Sequence, residues 1–468
     1  MNKLIKNFFS TSVANIIGQL VGFISITYYS GVLEKDNYGM ITFAQLFILY
    51  FTTVVLFGIQ AFGTKLVVKK EKAYQELVNE LFSFRLVIAV ICCLISFGIS
   101  FFISDNSKFP LILILWSVTL IPTSINFDWF FSGIQDMKHN AVYNLLKTIV
   151  PAIIIFTFVR NINDIYVIPI AMSIGVLCGG IYYILILRRY NITLKFKYNN
   201  KLFKSYFFMG LPFLLSGLLS MVNGNIDKII LGFNSNQYGE LGVYQAAYNF
   251  INFIVAFIGV IFVTLFPYIV RAHSEGRERI KKILQIVCRV VLMITIPISI
   301  GGFLLSNDII TAFYDEQYIG AVLPVKILMV YIFVFSIREV YAYSLNAFGL
   351  EKKYLKVVGI SASLNFLLNL IFIPIYGYIA AAIITTVTEI INLVLMRRYI
   401  RKIAKFNDIK EVILVLIPAL IMAMFILLIK HYISNVFIVI ILAIIIYLVA
   451  VLLLRTVNLK ELKETLKE

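Results

Sequence analysis

Apolar residues fill this chain in runs of about 20, each closed by a short polar connection. A run of that length, wound as an α-helix, covers the roughly 30 Å hydrocarbon core of a bilayer. Fourteen such runs can be marked, beginning with 9–31 and 38–64 and ending with 411–429 and 433–454. Lipid offers backbone amides no partner, so a helix that satisfies its own hydrogen bonds is the element this pattern predicts. The expected fold is therefore an all-α membrane protein with about 14 transmembrane helices.

Threading the runs puts every second connection on one side, and the Lys and Arg content tests that assignment because cytoplasmic loops hold the excess. One side collects 31 of the 41 basic residues, and the opposite side has only Lys35, Lys108, Arg160 and Lys430. Both termini are accordingly expected in the cytoplasm, with the chain a multi-pass membrane protein.

The sixth run ends in Leu187-Arg188-Arg189-Tyr190 and the twelfth in Met396-Arg397-Arg398-Tyr399. Tyr38-Gly39-Met40 before the second run is matched by Gly242-Val243-Tyr244 before the eighth, at nearly the same offset. The chain thus reads as two six-span lobes, 1–190 and 191–399, followed by two more spans and a tail over 400–468. An even number of spans per half makes the repeats parallel, a plan that suits alternating access around a central cleft.

Composition narrows the class. Hydrophobic residues make up 61% of the 468 and charged residues 14%, far from the balance of a soluble domain. The formal charge of +17 does not indicate nucleic acid, because no soluble stretch exceeds about 20 residues on which a basic face could be built. Cys92, Cys93, Cys178 and Cys288 all sit within apolar runs without metal-ligand spacing. The N-terminus is basic and then apolar, but no small-residue cleavage site follows, so it reads as a first span that is retained. No metal and no cofactor is implied.

Asn126-Phe127-Asp128-Trp129-Phe130-Phe131-Ser132-Gly133-Ile134-Gln135-Asp136-Met137-Lys138 resembles the DWFxxGxExM motif that closes the fourth span of Wzx-type polysaccharide flippases. It departs from that motif where Gln135 is followed by Asp136 and where Ser132 replaces a common Gln. Asn225-Ile226-Asp227-Lys228-Ile229-Ile230-Leu231-Gly232 resembles the family's seventh span, and Asn365 to Gly377, ending in Ile373-Pro374-Ile375-Tyr376-Gly377, its eleventh. Together they place the chain among proteins similar to the multidrug/oligosaccharidyl-lipid/polysaccharide exporter superfamily. That resemblance implies a MATE-like fold, transport of undecaprenyl-pyrophosphate-linked oligosaccharide for O-antigen, capsule or other surface glycan, and cooperation with polysaccharide polymerase machinery. Lipid II flippases and drug/cation antiporters of the same superfamily are the alternatives. The lack of arginine in the first span, where Asn15 and Gln19 are the larger polar groups, weighs against lipid II.

Dragging a diphosphate and several sugars through hydrocarbon costs on the order of tens of kcal/mol, so such a transporter needs a polar, cationic interior. For a headgroup of charge about −2, a negative-inside potential favours export by roughly 4.6 kcal/mol per 100 mV. Charges at bilayer depth are the candidates for this work. Lys147, Arg338 and Arg85 are expected to attract the pyrophosphate, with Arg289 and Tyr341 as further substrate contacts; Tyr341 follows Arg338 by three residues, on one helical face. Asp128, Glu339, Glu389 and Asp227 are expected to balance these charges or to bind a coupling proton or sodium ion. Lys228, Pro212 and Gly217 are gate candidates. Ion pairing that serves packing alone, such as Asp128 with Lys147, is the alternative. On the transport reading, replacing Arg338 or Lys147 by Ala impairs export without lowering membrane abundance.

An enzyme acting on the same substrate, a glycan polymerase or ligase, would be expected to carry a long outer loop, and the longest here is about 13 residues, Ser306 to Tyr318. P-loop, HExxH and GxSxG signatures are absent, which disfavours both ATP-driven transport by this chain alone and hydrolysis.

Overall fold

A computed structural model of the chain describes residues 3–70, 72–102, 108–234, 238–454 and 456, with side chains from residue 14 onward. The basic side chains at Lys3 and Lys6 and the basic tail from Arg455 therefore lie outside the described residues. What is described is helical, with no strand: α1 (Lys3–Leu56), α2 (Ile59–Lys69), α3 (Tyr74–Ser100), α4 (Lys108–Ser117), α5 (Leu120–Thr123), α6 (Asp128–Gly133), α7 (Lys138–Phe158) and α8 (Val167–Arg189). They are followed by α9 (Asn200–Asn234), α10 (Gly239–Glu275), α11 (Arg277–Leu304), α12 (Ser306–Phe313), α13 (Val322–Ala347), α14 (Glu351–Ile400), α15 (Asp408–Ile429) and α16 (Val436–Leu453).

Among the described residues, twelve helical stretches are long and apolar enough to cross a membrane. Two are far longer than one crossing needs: Ala14–Lys69 has 56 residues and Glu351–Ile400 has 50, where about 20 suffice. Each is broken near its middle. Glu34 has φ 64° and ψ 163° inside α1, and Gly377 has φ 59° and ψ −146° inside α14. Each long stretch thus holds two of the fourteen runs marked in the sequence, and the two descriptions agree on a multi-pass membrane protein.

The chain folds as two compact units, residues 1–242 and 243–468. In the first, α7 packs between α1 and α8, α2 lies on α6, and α9 lies on α1, α2 and α3. Its centre is aromatic, with Phe62, Phe84, Phe127, Trp129, Phe131, Tyr143 and Tyr183 buried together. In the second, α13 packs on α14 and α11, and α11 in turn carries α15, against which α16 rests.

Gly39 and Gly242, the glycines of the two corresponding loops, meet in the first unit. A Cβ on Gly39 would lie 1.8 Å from the Tyr238 carbonyl oxygen and 2.9 Å from the Gly242 nitrogen. Only two residues without side chains allow the backbones to come so close. A different constraint acts at Gly377, where the backbone occupies a region open essentially to glycine alone. Gly377→Ala is expected to lower stability by about 1–3 kcal/mol, read as a fall in the unfolding midpoint of the detergent-solubilised protein.

The segment after α8 is an extended strap laid along α3. The Thr193, Lys195 and Lys197 amides donate to Gln75 Oε1 at 2.9 Å, Asn79 Oδ1 at 3.0 Å and Ser83 Oγ at 2.8 Å. Alternate residues of an extended chain are about 6.6 Å apart and every fourth residue of a helix about 6.0 Å, so the two ladders stay in step for three rungs. The strap then delivers the chain to α9, where the Tyr206 hydroxyl donates to buried Glu80 at 2.6 Å and Lys72 pairs with the same carboxylate at 2.7 Å.

Candidate functional site

The motif at Asn126 to Lys138 forms a knot of short hydrogen bonds in the first unit. The Asn126 side chain turns the chain into α6 by accepting from the Asp128 amide at 2.9 Å and donating to the Asp128 carboxylate at 3.2 Å. Tyr183 of α8 donates to the other Asp128 oxygen and also lies 3.1 Å from Asn140 Oδ1. The Asn140 amide then donates to the Asp128 carbonyl and to Ser132 Oγ, both at 3.1 Å. Tyr183 is held flat between Tyr143 and Phe131, with ring centroids 4.6 and 5.1 Å apart. Gly179 makes room for Tyr143, since a Cβ there would lie 2.7 Å from its ring.

Arg85 is completely buried beneath this knot and donates to the Asn126 carbonyl and, at 3.5 Å, to that of Leu56. Those carbonyls sit at the turn into α6 and at the end of α1, so its guanidinium satisfies chain ends and faces no open space. Trp129 and Trp116 are also buried and present no face for a sugar to stack on.

Lys147 differs from every one of these. It lies on the α7 face that also carries Asn140, Tyr143 and Asn144, one and two turns away. It is exposed, and it makes no hydrogen bond or ion pair among the described residues. Asp128 acts on it electrostatically without touching it, so the direct pairing of the two that the sequence allowed does not form. Asn144 donates to Asn15 of α1 at 3.3 Å, and Asn15 and Gln19 are themselves exposed. Exposed polar groups of α1 and the half-buried Asn144 of α7 thus flank an ammonium without a direct partner.

The second unit binds its charges differently. Arg338 of α13 donates from Nε to Glu389 of α14 and from Nη1 to Glu339, both at 2.5 Å, and lies over the Phe335 ring at 4.7 Å. Asn392 donates to the second Glu389 oxygen at 3.2 Å. Tyr341 does not extend this cluster. It is fully buried and donates to Asp408 at 2.7 Å, an acceptor it shares with Arg397 at 2.5 Å. Arg289 pairs with buried Glu411 at 2.6 Å. Asp408 and Glu411 occupy the first turn of α15, so Tyr341, Arg397 and Arg289 fasten α15 to α14, α13 and α11.

Asp227 and Lys228 are buried at 4% and 5% relative exposure, too enclosed to wet a helix end, and Lys228 Nζ donates to Asn225 at 3.3 Å. Pro212 lies within α9, which stays helical through it, and Gly217 faces Thr53 at 3.3 Å from its would-be Cβ. Beyond the spans, Asp136 is drawn in two directions. Burial raises its pKa, but the Tyr190 hydroxyl at 2.8 Å, Lys138 and His139 together hold the carboxyl below its ordinary value. Burial and this same bond push Tyr190 up to about 12. No group of three or more His, Cys, Asp or Glu with metal-site geometry occurs among the described residues.

Tyr183 and Asn140 were not legible as site residues: neither belongs to the motif, and one tyrosine among 27 carries no mark. Asp408 and Glu411 did carry a signal, as two carboxylates in the first turn of an apolar helix preceded by Asn407, whose side chain caps it.

The profile of a family described as polysaccharide biosynthesis protein matches residues 4–273, more than half of the chain. The chain belongs to that family. It is 23% identical to a putative O-antigen transporter of Escherichia coli over 409 residues, 85% of the chain and 96% of the relative. It is 28% identical over 195 residues to the probable flippase AglR of Haloferax volcanii, 40% of each chain. A membrane protein of Methanocaldococcus jannaschii matches at 24% over 325 residues, 67% of this chain and 64% of that relative's length. Among solved structures, the lipid II flippase MurJ in an inward closed conformation superposes with a TM-score of 0.76 at 18% identity, covering 95% of this chain and 98% of that one. An inward-facing MATE family transporter of the MOP superfamily follows at 0.62 and 13%, covering 82% and 95%. The chain therefore has the fold of these transporters.

Proposed function

We propose that the chain is a flippase that moves undecaprenyl-pyrophosphate-linked oligosaccharide units from the cytoplasmic to the outer leaflet of a bacterial inner membrane. Its lobes, 1–190 and 191–399, would alternate access, with spans of 400–468 at the side and both termini in the cytoplasm. The observation that carries this reading is Lys147, an exposed and unpaired ammonium beside Asn15, Gln19 and Asn144 within membrane-spanning helices. A charge at bilayer depth is retained where a ligand or an aqueous space meets it. A pyrophosphate supplies the opposite charge, and amide side chains of this kind suit sugar hydroxyls. The names of the Escherichia coli and Haloferax volcanii relatives point the same way. The chain acts as a transporter rather than as an enzyme, with membrane potential or an ion as the driving force and polysaccharide polymerase machinery downstream. Asp128, Glu339, Glu389 and Asp227 are its charge-balancing or ion-coupling groups, and Lys228, Pro212 and Gly217 belong to its gates.

Deleting the gene in the native host tests this. Surface glycan is expected to disappear while lipid-linked units accumulate on the cytoplasmic face. Intact glycan with heightened drug sensitivity would replace the flippase by a drug/cation antiporter. The fold likeness to MurJ keeps lipid II as a second substrate class, and stranded peptidoglycan precursor in the same deletion would identify it.

A further inference from the structure

The strap over 191–199 satisfies only one of its two edges. Its inward amides, at Thr193, Lys195 and Lys197, are taken up by α3, and the Thr193 carbonyl accepts from Gln75 Nε2 at 2.6 Å. In an extended chain alternate amides point to opposite edges, so those of Leu194, Phe196 and Tyr198 face away from α3. None of these three meets an acceptor among the described residues. The helix thus fixes a short extended segment in place with a row of donors left over, and donors fixed in advance bind without a further ordering cost.

The side chains along this edge carry one sign of charge. Residues 188–204 include six Lys and Arg and no Asp or Glu. The nearby carboxylates of α3 are already answered, Glu80 by Lys72 at 2.7 Å and Glu76 by Lys197 at 3.3 Å. Lys195, Lys201 and Lys204 are exposed, and their ammonium groups have no carboxylate partner among the described residues. Phe196 and Tyr198 stand between them, 57% and 61% exposed, whereas Leu194 is anchored against the aromatic core.

Position along α3 decides what this surface meets. The helix has 27 residues, about 40 Å at 1.5 Å each, against roughly 30 Å of hydrocarbon. Its polar residues are gathered at one end, from Gln75 to Arg85, and from Leu86 onward it is mainly apolar. The strap grips that polar end, between Gln75 and Ser83, which is the part that projects into the headgroup layer. Lysines and aromatic rings settle at this depth, the cation toward phosphate and the ring toward the acyl chains. Farther along α9, exposed Phe207 and Phe208 continue the apolar side.

We infer that the strap and the first turns of α9 bind the headgroup of an anionic phospholipid. Its phosphate accepts from the outward amides of Phe196 and Tyr198, while Lys195, Lys201 and Lys204 supply the opposing charge. The two aromatic rings lie beside the upper part of the acyl chains. A zwitterionic headgroup brings its own cation and gains less from the lysines. This is a site for a resident lipid that needs no transported substrate, so it stands apart from the flippase reading.

The full chain in lipid nanodiscs provides the test, with phosphatidylglycerol or phosphatidylcholine carrying a photoreactive diazirine in the headgroup at equal trace amounts. Adducts are mapped by mass spectrometry. Residues 194–204 are expected to take up the anionic probe at least about fivefold over the zwitterionic one, the worth of a single lysine at a charged surface. Replacing Lys195, Lys201 and Lys204 together by Gln should bring the ratio near one with the unfolding midpoint unchanged, whereas replacing all three by Arg should preserve it. Phe196→Pro deletes one outward amide and spares every inward bond, so it should capture less of the anionic probe than Phe196→Ala. Equal labelling of the wild type by both probes, an excess that survives the glutamine substitutions, or equal labelling of the proline and alanine variants overturns the proposal. Protection of the strap from both probes in native membranes, but not in nanodiscs, would assign this edge to a protein partner instead.

Discussion

Arg338→Ala is expected to lower stability by about 3–5 kcal/mol, because it leaves the largely enclosed carboxylates of Glu339 and Glu389 without the guanidinium that pairs with both. The cost should appear as loss of the protein from the membrane and as a depressed unfolding midpoint in detergent. Adding Glu339→Gln and Glu389→Gln removes the stranded charges, so the triple variant should recover most of that loss. A single Arg338→Ala variant with unchanged abundance and midpoint would show that the cluster contributes nothing to folding. This expected result differs from the sequence expectation, in which removing either Arg338 or Lys147, both read as attracting pyrophosphate, spares abundance. The structure separates them: one is clamped and the other is free.

Lys147→Ala is therefore the cleaner functional variant. The ammonium has no partner to strand and its side chain is exposed, so the substitution should leave abundance and melting unchanged. Charge-assisted contacts to phosphate are worth about 1.5–3 kcal/mol each, which predicts a loss of transport on the order of tenfold to a hundredfold. Lys147→Arg, which restores the charge, should recover part of it. Quantifying surface glycan in a deletion strain complemented with each variant gives the answer, and full export by Lys147→Ala would remove Lys147 from the substrate path.

Much of the fold could be read directly from the chain because a bilayer imposes a length and a polarity on every segment. Even the two long helices followed, since Gly377 closes a recognisable Pro-containing stretch and the charges around Lys35 mark the other turn. What the chain could not disclose was which charge meets which. Arg338 and Glu389 are 51 residues apart, and Tyr341 and Asp408 are 67. Helical spacing alone places Tyr341 close to Arg338's face, yet three residues leave it about 60° around the helix. That angle is enough to turn one side chain toward α14 and the other toward α15. Arg85 was misleading for a related reason: an arginine in an apolar span reads as a ligand for an anion, although backbone carbonyls at broken helix ends can claim it equally well.

The strap after α8 has an evolutionary consequence. Its grip is encoded in Gln75, Asn79 and Ser83, whereas Thr193, Lys195 and Lys197 contribute only amides common to nineteen of the twenty amino acids. Drift in the tether can thus recolour its outward surface, from basic to neutral or acidic, with its course unaltered, provided proline stays away from those alternate positions. The memory of where this connection runs is kept by the helix beneath it.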